Sequence, residues 1–285
     1  MIKNILVPMG GSPHSRNALL VAAKLANTLK ASLRAVHIED LSRMRELIIA
    51  GKSLGAVSLD MPGIAIPDEE LKMVREEIEK DQAQAQTWYD ELQGTIEGSR
   101  TYENREGNLN EELIKEIRQC DMAVIAKVLK GDEGTCSDLQ KSVFNVIHKA
   151  NRPIMAVCND KFPGDTVLLA YDGSRSSHNA LAFLGNFTET ILKKVVILTI
   201  KKNEHDALPV MEEASRYLAP YGVAVEKVCK HDDVTESIIK TAHEKGATWI
   251  AIGGYGDNVV KELFLGSTTE KVLRSADMPV LMCNA

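Results

Sequence analysis

One supersecondary unit recurs along this chain, and that repeat constrains the fold more tightly than any other feature of the sequence. Ile5-Leu6-Val7-Pro8-Met9-Gly10-Gly11-Ser12 aligns with Leu168 to Ser174: an apolar strand, a turn containing glycine, and a serine placed to open a helix. Further copies follow in the same order. Leu33 to Glu39 and Val195 to Thr199 read as second strands, Ala123 to Ala126 corresponds to Trp249 to Gly253, and Arg152-Pro153-Ile154-Met155-Ala156-Val157 matches Met278-Pro279-Val280-Leu281-Met282. Short apolar, partly β-branched runs separated by helical patterns point to parallel strands joined by crossover helices. A chain of 285 residues suits two domains of roughly 100–200 residues each. The break falls in Asn159-Asp160-Lys161-Phe162-Pro163-Gly164-Asp165, a polar stretch with a Pro-Gly step and linker character. The expected division is a first domain over 1–158, a linker over 159–166 and a second domain over 167–285.

The second repeat carries the residues with ligand chemistry. Gly253-Gly254-Tyr255-Gly256 follows the apolar run Trp249-Ile250-Ala251-Ile252, and nine residues later Gly266-Ser267-Thr268 opens the helical pattern of Val272, Leu273 and Ala276. Glycines let backbone N–H groups approach an anion with no Cβ in the way, and hydroxyls at a helix N-terminus add donors to the orphan amides there. The stretch reads as a phosphate cradle; a plain loop and cap is the competing reading. Asp172 stands where the strand of its unit ends, and open α/β sheets bind ligands outside the carboxyl ends of their strands. A carboxylate at that point suits a ribose hydroxyl pair or, through water, a metal ion. It equally suits an Asx turn capping the helix that follows.

Together these residues resemble the universal stress protein family. Its members begin with a strand, D-G-S and a helix, and end with G-x2-G-x9-G-[ST], a helix, a proline and a last apolar strand. Here those elements are Asp172-Gly173-Ser174, Gly253, Gly256 and Gly266-Ser267 at that spacing, and Met278-Pro279-Val280-Leu281-Met282. The resemblance covers the whole second half and implies the roles of the family's ATP-binding branch. On that basis Asp172 contacts the sugar, Ile200 at the end of the second strand presents its backbone to adenine, and Gly253, Gly256, Gly266, Ser267 and Thr268 bind phosphates. The implied cofactor is ATP, carried with Mg.

The functional residues do not repeat in the first half. Gly10 stands where Asp172 does, Ala126 where Gly253 does, and Gln140-Lys141 where Gly266-Ser267 do. Lys127-Val128-Leu129-Lys130 replaces the glycine turn. A Cβ in place of glycine closes backbone access, so the first pocket reads as degenerate. Lys127, Lys130 and Lys141 read either as a solvated basic loop or as a different anion site.

Composition narrows the function classes. A net charge of −6 and the lack of a basic stripe with interleaved aromatics argue against a nucleic-acid footprint. No apolar run is long enough to span a membrane. The five cysteines are scattered, without C-x-x-C or zinc spacing, and read as reduced thiols, Cys158 and Cys283 near strand ends being the only redox candidates. The first strand starts almost at Met1, leaving no room for a signal peptide, so the cytoplasm is the expected compartment.

Catalytic motifs are missing: no G-x-S-x-G, H-E-x-x-H or P-loop lysine is present, and Arg274 lies a turn or more into its helix. His231-Asp232-Asp233 is a dense ionisable cluster at a strand-to-helix turn, read as helix-capping aspartates or as a group steering Mg²⁺ or the γ-phosphate. Leu41 to Asp68 has no counterpart in the second half and reads as an ornamented crossover, or as a lid or partner-docking surface over the degenerate pocket.

The expected fold is α/β, in two tandem domains. Each is a five-stranded, mostly parallel sheet flanked by helices, Rossmann-like in the manner of adenine-nucleotide alpha-hydrolases. Ile154–Val157 and Val280–Cys283 would be edge strands, and pairing them makes the chain an intramolecular pseudo-dimer; association into a homodimer is open. The expected function is a cytoplasmic stress-response protein that binds ATP in its C-terminal domain, a nucleotide-dependent regulator or chaperone-like binding module. The alternative is a slow ATPase or adenylate-transferring enzyme.

Overall fold

The computed structural model describes residues 1–40, 68–92, 94–129, 146, 149, 151–254 and 267–284. In the first half these form β1 (Asn4–Met9), α1 (Pro13–Leu29), β2 (Ser32–Asp40), α2 (Asp68–Glu91), β3 (Arg100–Gly107), α3 (Leu109–Arg118), β4 (Met122–Ala126) and β5 (Ile154–Val157). The second half follows with β6 (Thr166–Ala170), α4 (Arg175–Leu184), β7 (Lys194–Ile200), α5 (Glu204–Leu218), β8 (Ala224–Lys230), α6 (Val234–Glu244), β9 (Trp249–Gly253), α7 (Ser267–Ser275) and β10 (Val280–Cys283). Each strand foreseen from the repeat is present, with ends shifted by a residue or so. Tyr171 lies just past β6, although its N–H still reaches the Leu198 carbonyl of β7 at 2.9 Å.

The strands join in one ten-stranded sheet of order β3-β2-β1-β4-β5-β10-β9-β6-β7-β8. Every pairing is parallel except β5 with β10, which is antiparallel, Met155 standing opposite Leu281. Each half therefore repeats the order 3-2-1-4-5, related by a pseudo-dyad through that central pair. The two edges expected to be exposed cover each other.

Strict alternation sends side chains to both faces, as a doubly covered sheet requires. Val167, Leu169, Trp249 and Ala251 join one buried cluster with α1, α2, α4 and α5; Leu168, Ile250 and Ile252 join the other with α3, α6 and α7. The crossovers after β6 and β7 thus run on one face and those after β8 and β9 on the other. Between β6 and β9 the winding reverses, and their pairing stops at Leu169 opposite Ala251. Beyond that point the strand ends part and a crevice opens.

Candidate functional site

The crevice is a cavity of ≈420 Å³ whose lining includes Asp172, Ile200, Gly253 and Thr268. Four of the seven residues singled out in the sequence thus meet in one place. Gly256 and Gly266 lie outside the described residues, and Ser267 is placed only as the first residue of α7.

The turn that presents Asp172 is held from both sides. The Tyr171 carbonyl accepts from Thr199 Oγ1 at 2.8 Å, while its buried ring sends the hydroxyl to donate to Glu213 at 2.8 Å, with His178 Nδ1 3.2 Å from the same oxygen. Asp172 follows, exposed, and its Oδ1 accepts the Ser174 N–H at 2.9 Å. Gly173 completes the turn at φ 82, in the left-handed region that favours glycine. Ser174 then caps α4, its Oγ accepting the Ser177 N–H at 3.3 Å. Burial pushes the Asp172 carboxyl up, but hydrogen bonds from the Ser174 side chain and backbone and from Ser177 outweigh this and hold it below the usual carboxylate range. The Asx-turn reading is therefore observed, and the charged carboxylate still faces the cavity.

Gly253 ends β9 against the start of α4. A Cβ there would lie 2.5 Å from Ser176 Oγ and 2.7 Å from the Ser177 nitrogen, so glycine is required first by the close approach of strand and helix. This approach brings the N-terminus of α4 into the cavity through Ser174, Ser176 and Ser177. α7 contributes a second N-terminus through Thr268 and Thr269, the latter tied to the Gly254 carbonyl at 3.4 Å by its hydroxyl. Two positive helix ends aimed at one cavity favour an anion.

Lys201 and Thr269, which the sequence reading passed over, also line this space. Lys201 follows Ile200 at the mouth of β7, where repeat alignment supplied a signal: its counterpart in the first half is Glu39, a reversal of charge. Val234, Ile238 and Ile252 give the cavity an apolar side. Among the described lining residues, Asp172 and Lys201 are the charged ones.

His231-Asp232-Asp233 behaves as a cap. Asp233 Oδ1 accepts the Glu236 N–H at 3.0 Å, and His231 Nδ1 sits 2.6 Å from the Lys201 carbonyl. Among the described residues no group of three His, Cys, Asp or Glu could hold a metal ion. Burial pushes the Cys283 thiol up to about 12 and raises Cys158 and Cys229 as well, opposite to the shift that makes a thiolate reactive. No helix among the described residues is long and apolar enough to cross a membrane.

The first half differs at each corresponding point. Asp81 of α2 packs onto Gly11 where the turn would face a ligand. His37, buried at the place of Thr199, sits with Nδ1 3.1 Å from the Met9 carbonyl. Lys127 corrects the sequence reading outright: it belongs neither to a solvated loop nor to an anion site. Its side chain is 1% exposed, and its ammonium donates to the Leu273 carbonyl at 3.0 Å and to that of Ala276, at the C-terminal end of α7 in the other half. The carbonyls and the negative end of a helix dipole offset part of the cost of burying this charge. Lys130, Gln140, Lys141 and the segment from Leu41 to Pro67 lie outside the described residues.

Known proteins agree with this architecture. The universal stress protein Slr1230 of Synechocystis is 23% identical over 284 residues, covering 98% of this chain and 99% of its own. A universal stress protein structure from Archaeoglobus fulgidus superposes with a TM-score of 0.71 at 17% identity, covering 99% of this chain and 98% of that one. A universal stress protein solved in complex with cAMP matches 42% of this chain, at 21% identity and a TM-score of 0.37. The sequence model of the universal stress protein family matches residues 1–157 and 200–284, so that both repeats are represented. The chain therefore belongs to the universal stress protein family, as a member with two copies of the fold in tandem.

Proposed function

We propose that the second half binds ATP, with its Mg²⁺, in the crevice between β6 and β9, and that the chain acts as a nucleotide-dependent regulator or binding module in the stress response. The observation that carries this reading is the convergence of Asp172, the end of β7 at Ile200 and two helix N-termini on one cavity of ≈420 Å³, within the usual range for small-molecule sites of roughly 300–1,000 Å³. The division of labour follows from chemistry. An ionised Asp172 accepts from ribose hydroxyls, the apolar side at Val234, Ile238 and Ile252 suits adenine beside the Ile200 backbone, and the start of α7 at Ser267 and Thr268 suits phosphates. Gly253, Gly256 and Gly266 then keep the backbone around the phosphates free of side chains. With Asp172 the lone carboxylate lining the described cavity, Mg²⁺ would be held chiefly by the phosphates it arrives with. In the first half, Asp81 against Gly11 and Glu39 in place of Lys201 remove both space and charge for an anion. The expected stoichiometry is one nucleotide per chain. Calorimetry with Mg-ATP tests this: one site supports the reading, whereas two equal sites or no heat overturns it. Mass spectrometry of nucleotide released from the purified protein, with a phosphate-release assay, tells a binding module that retains ATP from a slow ATPase that accumulates ADP.

A further inference from the structure

A second cavity, of ≈440 Å³, lies at the junction of the two halves, on the other side of α4 from the nucleotide crevice. The first half contributes Arg152, just ahead of β5; the second contributes Arg175, Asn179 and Phe183 along one face of α4, and Asn186 from the 3₁₀ turn Gly185–Phe187 that follows it. The spacing of the three on α4, i, i+4 and i+8, places them on one helix face. The floor is fixed, because Asn179 Nδ2 donates to the Asn284 carbonyl at 2.7 Å and so ties α4 to the end of β10. Arg152 is anchored by Nη2 donating to the Arg118 carbonyl at 3.3 Å. Neither arginine meets a carboxylate among the described residues, and no Asp or Glu lines the cavity. Two guanidinium groups thus share a concave surface with no carboxylate side chain among the described lining residues.

The pseudo-dyad supplies an internal control. The cleft related by that symmetry has Pro13 at the position of Arg175 and Met278 at the position of Arg152. The fold therefore does not require this pair of cations; one junction cleft has them and its counterpart does not.

We propose that this junction cleft is a site for a small organic phosphate, such as a sugar phosphate, bridging the two halves. Guanidinium forks match phosphate oxygens in geometry as well as charge. Asn179 and Asn186 carry both donors and acceptors, suited to hydroxyl groups on the body of the ligand, and the Phe183 ring offers an apolar face. Because Arg175 is the first residue of α4 and its neighbours Ser174 and Ser176 line the nucleotide crevice, a ligand here would press on the same helix end that the nucleotide uses.

The assignment does not depend on the nucleotide reading, and its test keeps the two apart. The full chain is titrated by calorimetry with inorganic phosphate, ribose 5-phosphate, glucose 6-phosphate and the corresponding free sugars, with and without saturating Mg-ATP. The proposal expects a sugar phosphate to bind more tightly than inorganic phosphate or free sugar. It further expects that binding to weaken at least ~10-fold in Arg152→Ala and in Arg175→Ala, and to stay within about twofold in Lys201→Ala. Far-ultraviolet circular dichroism and melting confirm that each variant is folded. Absence of heat with every phosphate at ~10 mM, an affinity weaker than about 3 kcal/mol, overturns the proposal. So do an affinity indifferent to both arginine substitutions and competition by ATP with loss in Lys201→Ala, which would place the phosphate in the crevice.

Discussion

Lys127 Nζ donates to the Leu273 carbonyl at 3.0 Å, across 146 residues of chain and from one half of the molecule to the other. The ammonium closes the C-terminal end of the helix whose N-terminus faces the crevice between β6 and β9. Burial pulls its pKa down to about 8, against the opposing influence of Cys158 and Asp277. The unfolded chain has the ordinary lysine value of 10.5, so between about 8 and 10.5 the unfolded state holds more protons, and stability from this group rises with pH. That gain is complete above 10.5 and is lost as pH falls through 8. Urea titrations should show the rise, at most about 3 kcal/mol, flattened in Lys127→Met. At pH 7 the same variant should be destabilised by about 1.5–3 kcal/mol, since it leaves buried carbonyls without their charged donor. A stability profile unchanged by the substitution would contradict the contact.

Replacing Asp172 by Asn should separate ligand from cap. The amide oxygen can still accept the Ser174 N–H, so thermal stability should hold, while ATP affinity drops by on the order of 1.5–3 kcal/mol. Because the Asp172 carboxyl is held below its ordinary range, wild-type affinity should show no titration from this group between pH 5 and 8. Loss of stability with intact binding would make it a cap alone.

Lys201→Glu gives the second half the charge that Glu39 has in the first. Nucleotide affinity, read by calorimetry, should fall at least ~10-fold, and the loss should shrink as salt screens the repulsion. Equal affinity would remove Lys201 from the site.

Gly253→Ala tests the approach of β9 to α4. The added methyl meets helix backbone at Ser177, which cannot rotate away, so the cost to stability should be about 1–3 kcal/mol whether or not ATP is present. A melting temperature within error of wild type would show that the helix yields freely.

ATP should slow amide exchange in Val280–Met282 and in Ile154–Val157 as well as around Asp172, because α7 leads directly into β10 and β10 pairs with β5. Hydrogen-exchange mass spectrometry decides it. Protection confined to the crevice would leave the first half a passive scaffold, since contiguity by itself does not establish coupling.

The strands were legible because each has a local cause: alternating apolar residues such as Val167, Leu168 and Leu169 supply both faces of a covered sheet. The β5–β10 pairing was legible as well, since two orphan edges in one chain satisfy each other. Asp172 was read both as a ligand and as an Asx turn, and the turn is present; Gly253 was singled out on ligand chemistry alone, yet it also lets α4 pack closely against β9, a duty that spacing does not display. Lys127 was misread because its partners, Leu273 and Ala276, are visible only once the halves have docked; a lysine after a strand otherwise reads as solvated. The arginines of the junction cleft were illegible for the same reason, Arg152 and Arg175 being distant in sequence and joined only by the dyad.

The antiparallel pair of Met155 and Leu281 joins two strands of a single polypeptide. Its integrity is therefore exempt from mass action: dilution that separates two independent subunits leaves this seam closed, at an effective concentration in the millimolar range for a short linker. A duplicated partner that can never dissociate and never be exchanged is free to diverge. One copy can give up its crevice and spend its side chains on its neighbour, as Lys127 does, so that the chain is a permanent heterodimer written in one reading frame.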